Sequence, residues 1–208
     1  GNTNPMRQLS KVNFKKLLII TLLSLGIWQL GSGIYMQAKA KLAQHLIAQA
    51  WQSNVAQGGS KQIKPWFYAD TWPIAKLTVR NLNVEEHILW HASGRNLAFG
   101  AAHFLPSAKL EDLAKNENGK ASLIAGHNDT NFAFLSQLKL GDTYELALGT
   151  GLTMQYQVSN ISIIHQADSE FLHTNKSSVN RLYLMTCYPF NSLISGTQQR
   201  YLVESVVI

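Results

Sequence analysis

Residues 17–36 run for twenty positions without a charged side chain. A helix needs about twenty apolar residues to cross a hydrocarbon core, so this stretch limits where a globular domain can lie. Arg7, Lys11, Lys15 and Lys16 precede it, and no acid does. Basic residues beside a membrane helix remain cytoplasmic, which predicts a cytoplasmic N-terminus and a body on the opposite side. Residues 1–5 read as an addition ahead of a native Met6. Ser24, Gln29 and Ser32 dilute the apolar character, while Gly26, Gly31 and Gly33 are tolerated in membrane helices. A cleaved signal peptide is the rival reading, with Ala38-Lys39-Ala40 as a weak small-x-small site.

The charge distribution supports topology and argues against nucleic acid. The net charge is +6, and residues 1–39 hold five basic side chains and no acid. The other 169 residues hold 13 basic and 12 acidic ones, a balance of +1. A nearly neutral body lacks the basic surface that phosphate backbones require, so no nucleic-acid partner is expected.

Downstream, Leu42, Leu46, Ile47 and Ala50 carry helical spacing over 38–51, which predicts a stalk continuing the membrane helix. Residues 52–64, with Gly58-Gly59-Ser60, read as a polar linker, and a domain follows over 65–208. Trp66, Phe67, Tyr68 and Trp72 open that domain. They read as core closing one end of a sheet, with a peptide groove or the lipid interface as alternatives.

The rest is β-rich. Strands are predicted over 75–79, 86–91, 121–125, 144–148, 152–164, 181–186 and 201–207, with a hairpin at Gly149-Thr150-Gly151. A short helix or turn falls at 95–103, a loop at 104–120, a helical turn at 132–138 and a long polar loop at 165–180. About eight short strands at this spacing suggest a closed or nearly closed barrel.

The chain has one cysteine, Cys187, in the run Arg181-Leu182-Tyr183-Leu184-Met185-Thr186-Cys187-Tyr188-Pro189. Proline cannot continue a central strand, so the thiol sits where a strand gives way to a loop. Such a position suits a nucleophile, whereas single cysteines also serve as small buried hydrophobes. One cysteine excludes an intramolecular disulfide. Leu123-Ile124-Ala125-Gly126-His127-Asn128-Asp129-Thr130 is a second apolar strand with a polar end, and Arg200 opens a third at Tyr201-Leu202-Val203. Neighbouring strands would unite His127, Cys187 and Arg200. His87 and His91 stand four apart, but on a strand they would span about 13 Å, so no structural zinc site is expected. Glu111-Asp112 and Asp168-Ser169-Glu170 lack the pattern of a calcium cage, and no cofactor is implied.

These three segments resemble the sortases, membrane-anchored cysteine transpeptidases. The family's Thr-Leu-x-Thr-Cys signature reads here as Tyr183-Leu184-Met185-Thr186-Cys187, with Tyr in place of the first Thr. Its Gly-His segment matches Gly126-His127, and its arginine at the start of the last strand matches Arg200. The likeness runs from Pro73 to Ile208. The Trp-rich approach, Ser93-Gly94-Arg95-Asn96-Leu97-Ala98-Phe99-Gly100 and the Thr-Cys-Tyr-Pro-Phe ending look most like the Gram-negative, marine proteobacterial class.

The resemblance implies a mainly β, eight-stranded sortase-like barrel with short helices, behind an N-terminal transmembrane helix. It also implies a catalytic domain on the periplasmic side of the inner membrane. Cys187 would attack a Thr-Gly-like bond in the C-terminal sorting signal of a target protein, and an amine acceptor would resolve the thioester. His127 would act as acid and base, and Arg200 would hold the carbonyl oxygen. Thr186 and Tyr188, beside the nucleophile, are expected to shape substrate binding. Asp129 and Thr130 would orient His127 or make its turn, and the 168–178 loop would border the groove. A membrane-anchored cysteine peptidase and a non-catalytic β-barrel binding module are the alternatives. An L,D-transpeptidase-like enzyme would need Ser-x-Gly-Cys, which Met185-Thr186-Cys187 does not match.

Overall fold

The computed structural model describes residues 5–115, 119–173, 178–191 and 196–208, with side chains described from residue 13 onward. It divides into two compact units, Gly1–Ala43 and Gln44–Ile208. Helix α1 (Pro5–Ala56) supplies the first unit and enters the second. Along 17–36 its large apolar side chains are exposed, Ile20, Leu23, Ile27 and Trp28 among them. A helix bearing so much apolar surface is a candidate membrane span.

The second unit is a closed eight-stranded barrel. Its strands are β1 (Pro73–Val79), β2 (Val84–Leu89), β3 (Ala102–His103), β4 (Ala121–Ala125), β5 (Thr143–Leu148), β6 (Thr153–His165), β7 (Arg181–Tyr188) and β8 (Gln199–Val207). Around the barrel they run β1-β2-β3-β4-β7-β8-β6-β5, and β5 closes on β1. Two pairs are parallel, β2 with β3 and β4 with β7. The short helices α2 (Gly94–Leu97) and α3 (Glu170–His173), with 3-10 turns at Leu110–Ala114 and Ala133–Gln137, lie in the connections.

Period-two alternation sets the inside of the barrel. Along β1, Ala75, Leu77 and Val79 are buried, and Met154, Tyr156 and Val158 follow the same rule on β6. A bulge between Val158 and Asn160 then breaks the register. The β5–β6 turn relies on Gly151 at φ 89°, where the left-handed conformation favours glycine.

The structure differs from the sequence reading at the end of α1, which continues to Ala56 through the first part of the predicted linker. Ile47 packs with Leu89 and Ala102, and Trp51 meets the His87 ring edge-on at 6.2 Å. Burial of this stripe outweighs the polar composition of residues 52–56. Leu42 stays exposed. Gly59 stops the helix, its N–H bonding the Asn54 carbonyl at 2.9 Å.

The aromatic run divides in two. Trp72 stacks on Trp90 with ring centroids 4.4 Å apart, and Trp66 packs against Phe99 at 4.9 Å. Phe67 and Tyr68 are turned into solvent instead. The Ala69 N–H bonds the Trp66 carbonyl, and this tight turn projects the two intervening rings outward.

Candidate active site at the ends of three strands

β7 lies between β4 and β8, so each of its neighbours carries one of the other two polar groups. In the antiparallel β7–β8 pair, Cys187 is directly opposite Arg200. Residues so placed have Cβ atoms about 5 Å apart on one face of the sheet. In the parallel β4–β7 pair, Ala125 stands beside Met185. The Gly126 N–H extends that ladder to the Met185 carbonyl at 3.1 Å. His127 is the next residue, and it is exposed at the strand's end. The fold therefore gathers all three groups at one edge of the barrel wall.

Asn128, which the sequence did not single out, ties this arrangement together. Its amide donates to the Cys187 carbonyl and to the Pro189 carbonyl, each at 3.2 Å. A second tie runs from Asn131 to the Glu86 carboxylate on β2 at 3.1 Å. Burial pushes the Glu86 carboxyl up, against the opposing effect of that hydrogen bond. Thr130 bonds Asp129 and Asn131 at 3.4 Å.

Arg200 is held by acceptors around it. One guanidinium nitrogen, Nη1, donates to the carbonyls of Thr197 and Gln199. The other, Nη2, donates to Gln166 Oε1 at 2.9 Å. Gln166 is fixed in turn, its N–H bonding the Gln198 carbonyl at 2.7 Å. Gln166 is a second residue that sequence reasoning missed, being 34 positions from its partner.

Thr186 and Tyr188 lie on the opposite face of β7 from Cys187, as alternation demands. The buried Thr186 hydroxyl donates to the Gly126 carbonyl at 2.7 Å, fastening the histidine loop from beneath. Tyr188 stacks on Tyr201, and Phe190 packs edge-on to Tyr201 at 5.0 Å. On the outer face, Met185, Tyr183 and Leu202 belong to an apolar strip that Phe171 and Leu172 of α3 join. Burial pushes the Tyr183 phenol up to about 12. Of the predicted 168–178 border, residues 174–177 lie outside the described residues.

In this small barrel Cys187 lies near the end of β7 opposite Arg200, and His127 follows the end of the neighbouring β4. The model of the Sortase domain matches residues 77–207, more than half of the chain, and the chain belongs to the sortase family. Members of this family are cysteine transpeptidases. Sortase A from Corynebacterium diphtheriae superposes with a TM-score of 0.58 at 21% identity, over 80% of this chain and 84% of that one. The pilus-related sortase C of Group B Streptococcus gives 0.56 at 24%, over 65% and 67%. Sortase C1 from Streptococcus suis gives 0.56 at 20%, over 65% and 73%. At these identities the structural likeness speaks to the fold. No protein of curated function matches the chain.

Proposed function

We propose that this chain is a membrane-anchored sortase of the Gram-negative class, cleaving the C-terminal sorting signal of a target protein and joining that protein to an amine. The observation that carries the reading is one register, Cys187 facing Arg200 across β7–β8, with the His127 loop bonded to the Cys187 carbonyl through Asn128. In this reading residues 1–16 are cytoplasmic and 17–36 cross the inner membrane once. Residues 37–64 connect the anchor to the catalytic part, which is periplasmic and spans 65–208.

The reaction proceeds in two halves. The Cys187 thiolate adds to the carbonyl carbon of a Thr-Gly-like bond, forming a C–S bond, and the carbonyl oxygen becomes an oxyanion. Arg200 is permanently protonated and donates hydrogen bonds from a fixed fork, which suits it to that oxyanion. His127, as imidazolium, protonates the departing amine as the C–N bond breaks and the thioester forms. The acceptor amine then adds to the thioester and gives a proton to His127. The C–S bond breaks, a new amide results and the thiolate is restored. Thr186 and Tyr188 shape the site from the opposite face.

The test is product analysis with the full-length protein in nanodiscs, a panel of sorting-signal peptides and an added amine. Ligated product rising with amine concentration is expected. Hydrolysis unaffected by amine would mark a cysteine peptidase. Peptide binding without turnover, equal in Cys187→Ala, would mark a binding module.

A further inference from the structure

The proposed reaction makes no use of Phe67 and Tyr68, yet they are 92% and 70% exposed. Their rings meet edge-on at 4.8 Å, and Trp66 is 6.1 Å from Tyr68. Contiguous aromatic surface left in water is unfavourable and marks a place where something binds. What binds can be argued from position and charge.

The patch lies where α1 joins the barrel unit. Trp66 packs on Phe99, and the Phe99 carbonyl accepts a hydrogen bond from the Gln44 side chain at 2.7 Å. Eight residues separate Gln44 from Met36, the last position of the uncharged stretch. Fully extended, eight residues span at most about 28 Å. The patch is thus tethered within reach of any bilayer that residues 17–36 cross, whatever conformation the tether takes.

The charge has the matching sign. Residues 1–69 hold eight Lys and Arg and no Asp or Glu, whereas the remaining 139 hold ten and twelve. Lys61 and Lys64 precede the aromatic run and are exposed, while Lys39 and Lys41 lie within the tether. Asp70, the first acid in the chain, is 3.7 Å from Arg95. Aromatic rings beside lysines are the chemistry of a surface that enters the headgroup layer of an anionic bilayer.

We propose that Trp66, Phe67 and Tyr68, with Lys61 and Lys64, dock the catalytic unit onto anionic phospholipid of the same bilayer that carries the anchor. Docking restricts how the unit turns on its tether and confines Cys187 to substrates presented at that surface. The proposal rests on reading residues 17–36 as a membrane span, and it is independent of the transpeptidase chemistry.

The full chain carrying Cys187→Ala offers a cysteine-free background for single nitroxide labels in nanodiscs containing phosphatidylglycerol. Labels at Tyr68→Cys, Leu23→Cys and Leu140→Cys are compared by their accessibility to oxygen and to an aqueous nickel chelate. Leu140 is an exposed loop residue remote in sequence from the patch. The expected result is a Tyr68 label at headgroup depth, with an oxygen-to-nickel ratio several-fold above that of the Leu140 label. Adding Lys61→Glu and Lys64→Glu, or using zwitterionic lipid alone, should return it toward the aqueous value. A Tyr68 label as aqueous as the Leu140 label, with the Leu23 label deep in the bilayer, would overturn the docking proposal. An aqueous Leu23 label would overturn the anchor and the proposal with it. A Tyr68 label shielded from both reagents would indicate a protein partner and overturn it too.

Discussion

Replacing Gly126 by alanine perturbs the loop that carries His127 without removing any polar group. The backbone of Gly126 is unremarkable; its neighbour is what requires glycine. An added Cβ would stand 2.7 Å from Phe132 Cγ, 2.9 Å from Cδ2 and 3.1 Å from Cδ1. Carbon atoms prefer separations of about 3.5–4.0 Å, so the closest approach is about 1 Å too short. Phe132 is fully buried, packed edge-on to Phe134 at 5.6 Å. The Cγ atom sits at the root of the side chain and cannot swing clear. Overpacking of this kind costs about 1–3 kcal/mol. For a chain of this size each kcal/mol lowers Tm by about 2–4 °C, giving an expected fall of about 2–12 °C. Relief by backbone movement strains the bonds from Gly126 to Met185 and Thr186, so His127 shifts relative to Cys187. A loss of about tenfold or more in kcat/KM should accompany the lower Tm, equivalent to about 1.4 kcal/mol in the barrier. Thermal melts and peptide-transfer kinetics on the detergent-solubilised full chain read both quantities. Phe132→Leu in the Gly126→Ala background should show a coupling of about 1 kcal/mol. Unchanged melting and turnover in Gly126→Ala, or zero coupling, would refute the steric account.

Three further expectations concern other parts of the molecule. Gln166→Ala should lower kcat/KM up to about tenfold by releasing Arg200, with stability changed by less than about 0.5 kcal/mol because Gln166 is exposed. Gln166→Glu, which keeps an acceptor, should restore activity. Gly149→Ala should lower Tm, because its Cβ would meet Asn54 Nδ2 at 2.6 Å and Gly59 Cα at 3.1 Å, prising the end of α1 from the β5–β6 turn. Burial holds the His103 imidazole below its ordinary 6.5, against the bond to the Ala108 carbonyl. The unfolded chain therefore binds the extra proton first, and stability present above about pH 6.5 falls as the pH drops below it. Denaturant titrations across pH 5–7 should give a shallower decline for His103→Gln. His87, lowered by burial and by Lys76, and Glu86 contribute to both proteins and cancel in the difference.

Local patterns made much of the barrel legible. Alternation predicts β1, β5 and β6, and the apolar runs ending in Gly-His and Thr-Cys predict β4 and β7. Two-residue β3 is too short to leave a periodic signal. The pairing of Cys187 with Arg200 is a long-range register that spacing within the chain cannot reveal. It depends on β8 returning beside β7 after a connection whose residues 192–195 lie outside the described ones. Asn128 and Gln166 escaped notice for the same reason, since each acts on a residue far along the chain. The extension of α1 to Ala56 was hidden because Gln52, Ser53 and Asn54 look like linker until Asn54 is seen buried against the barrel. Phe67 and Tyr68 show the opposite error, where apolar composition suggested core and a tight turn placed the rings outside.

The most direct test of the central claim is intact-mass analysis of full-length protein in nanodiscs, quenched with acid soon after mixing with sorting-signal peptide in the absence of amine. The account predicts one acyl adduct, mapped to Cys187, that disappears on adding amine and never forms in Cys187→Ala. An adduct mapped to another residue, or undiminished peptide transfer by Cys187→Ala, would contradict it.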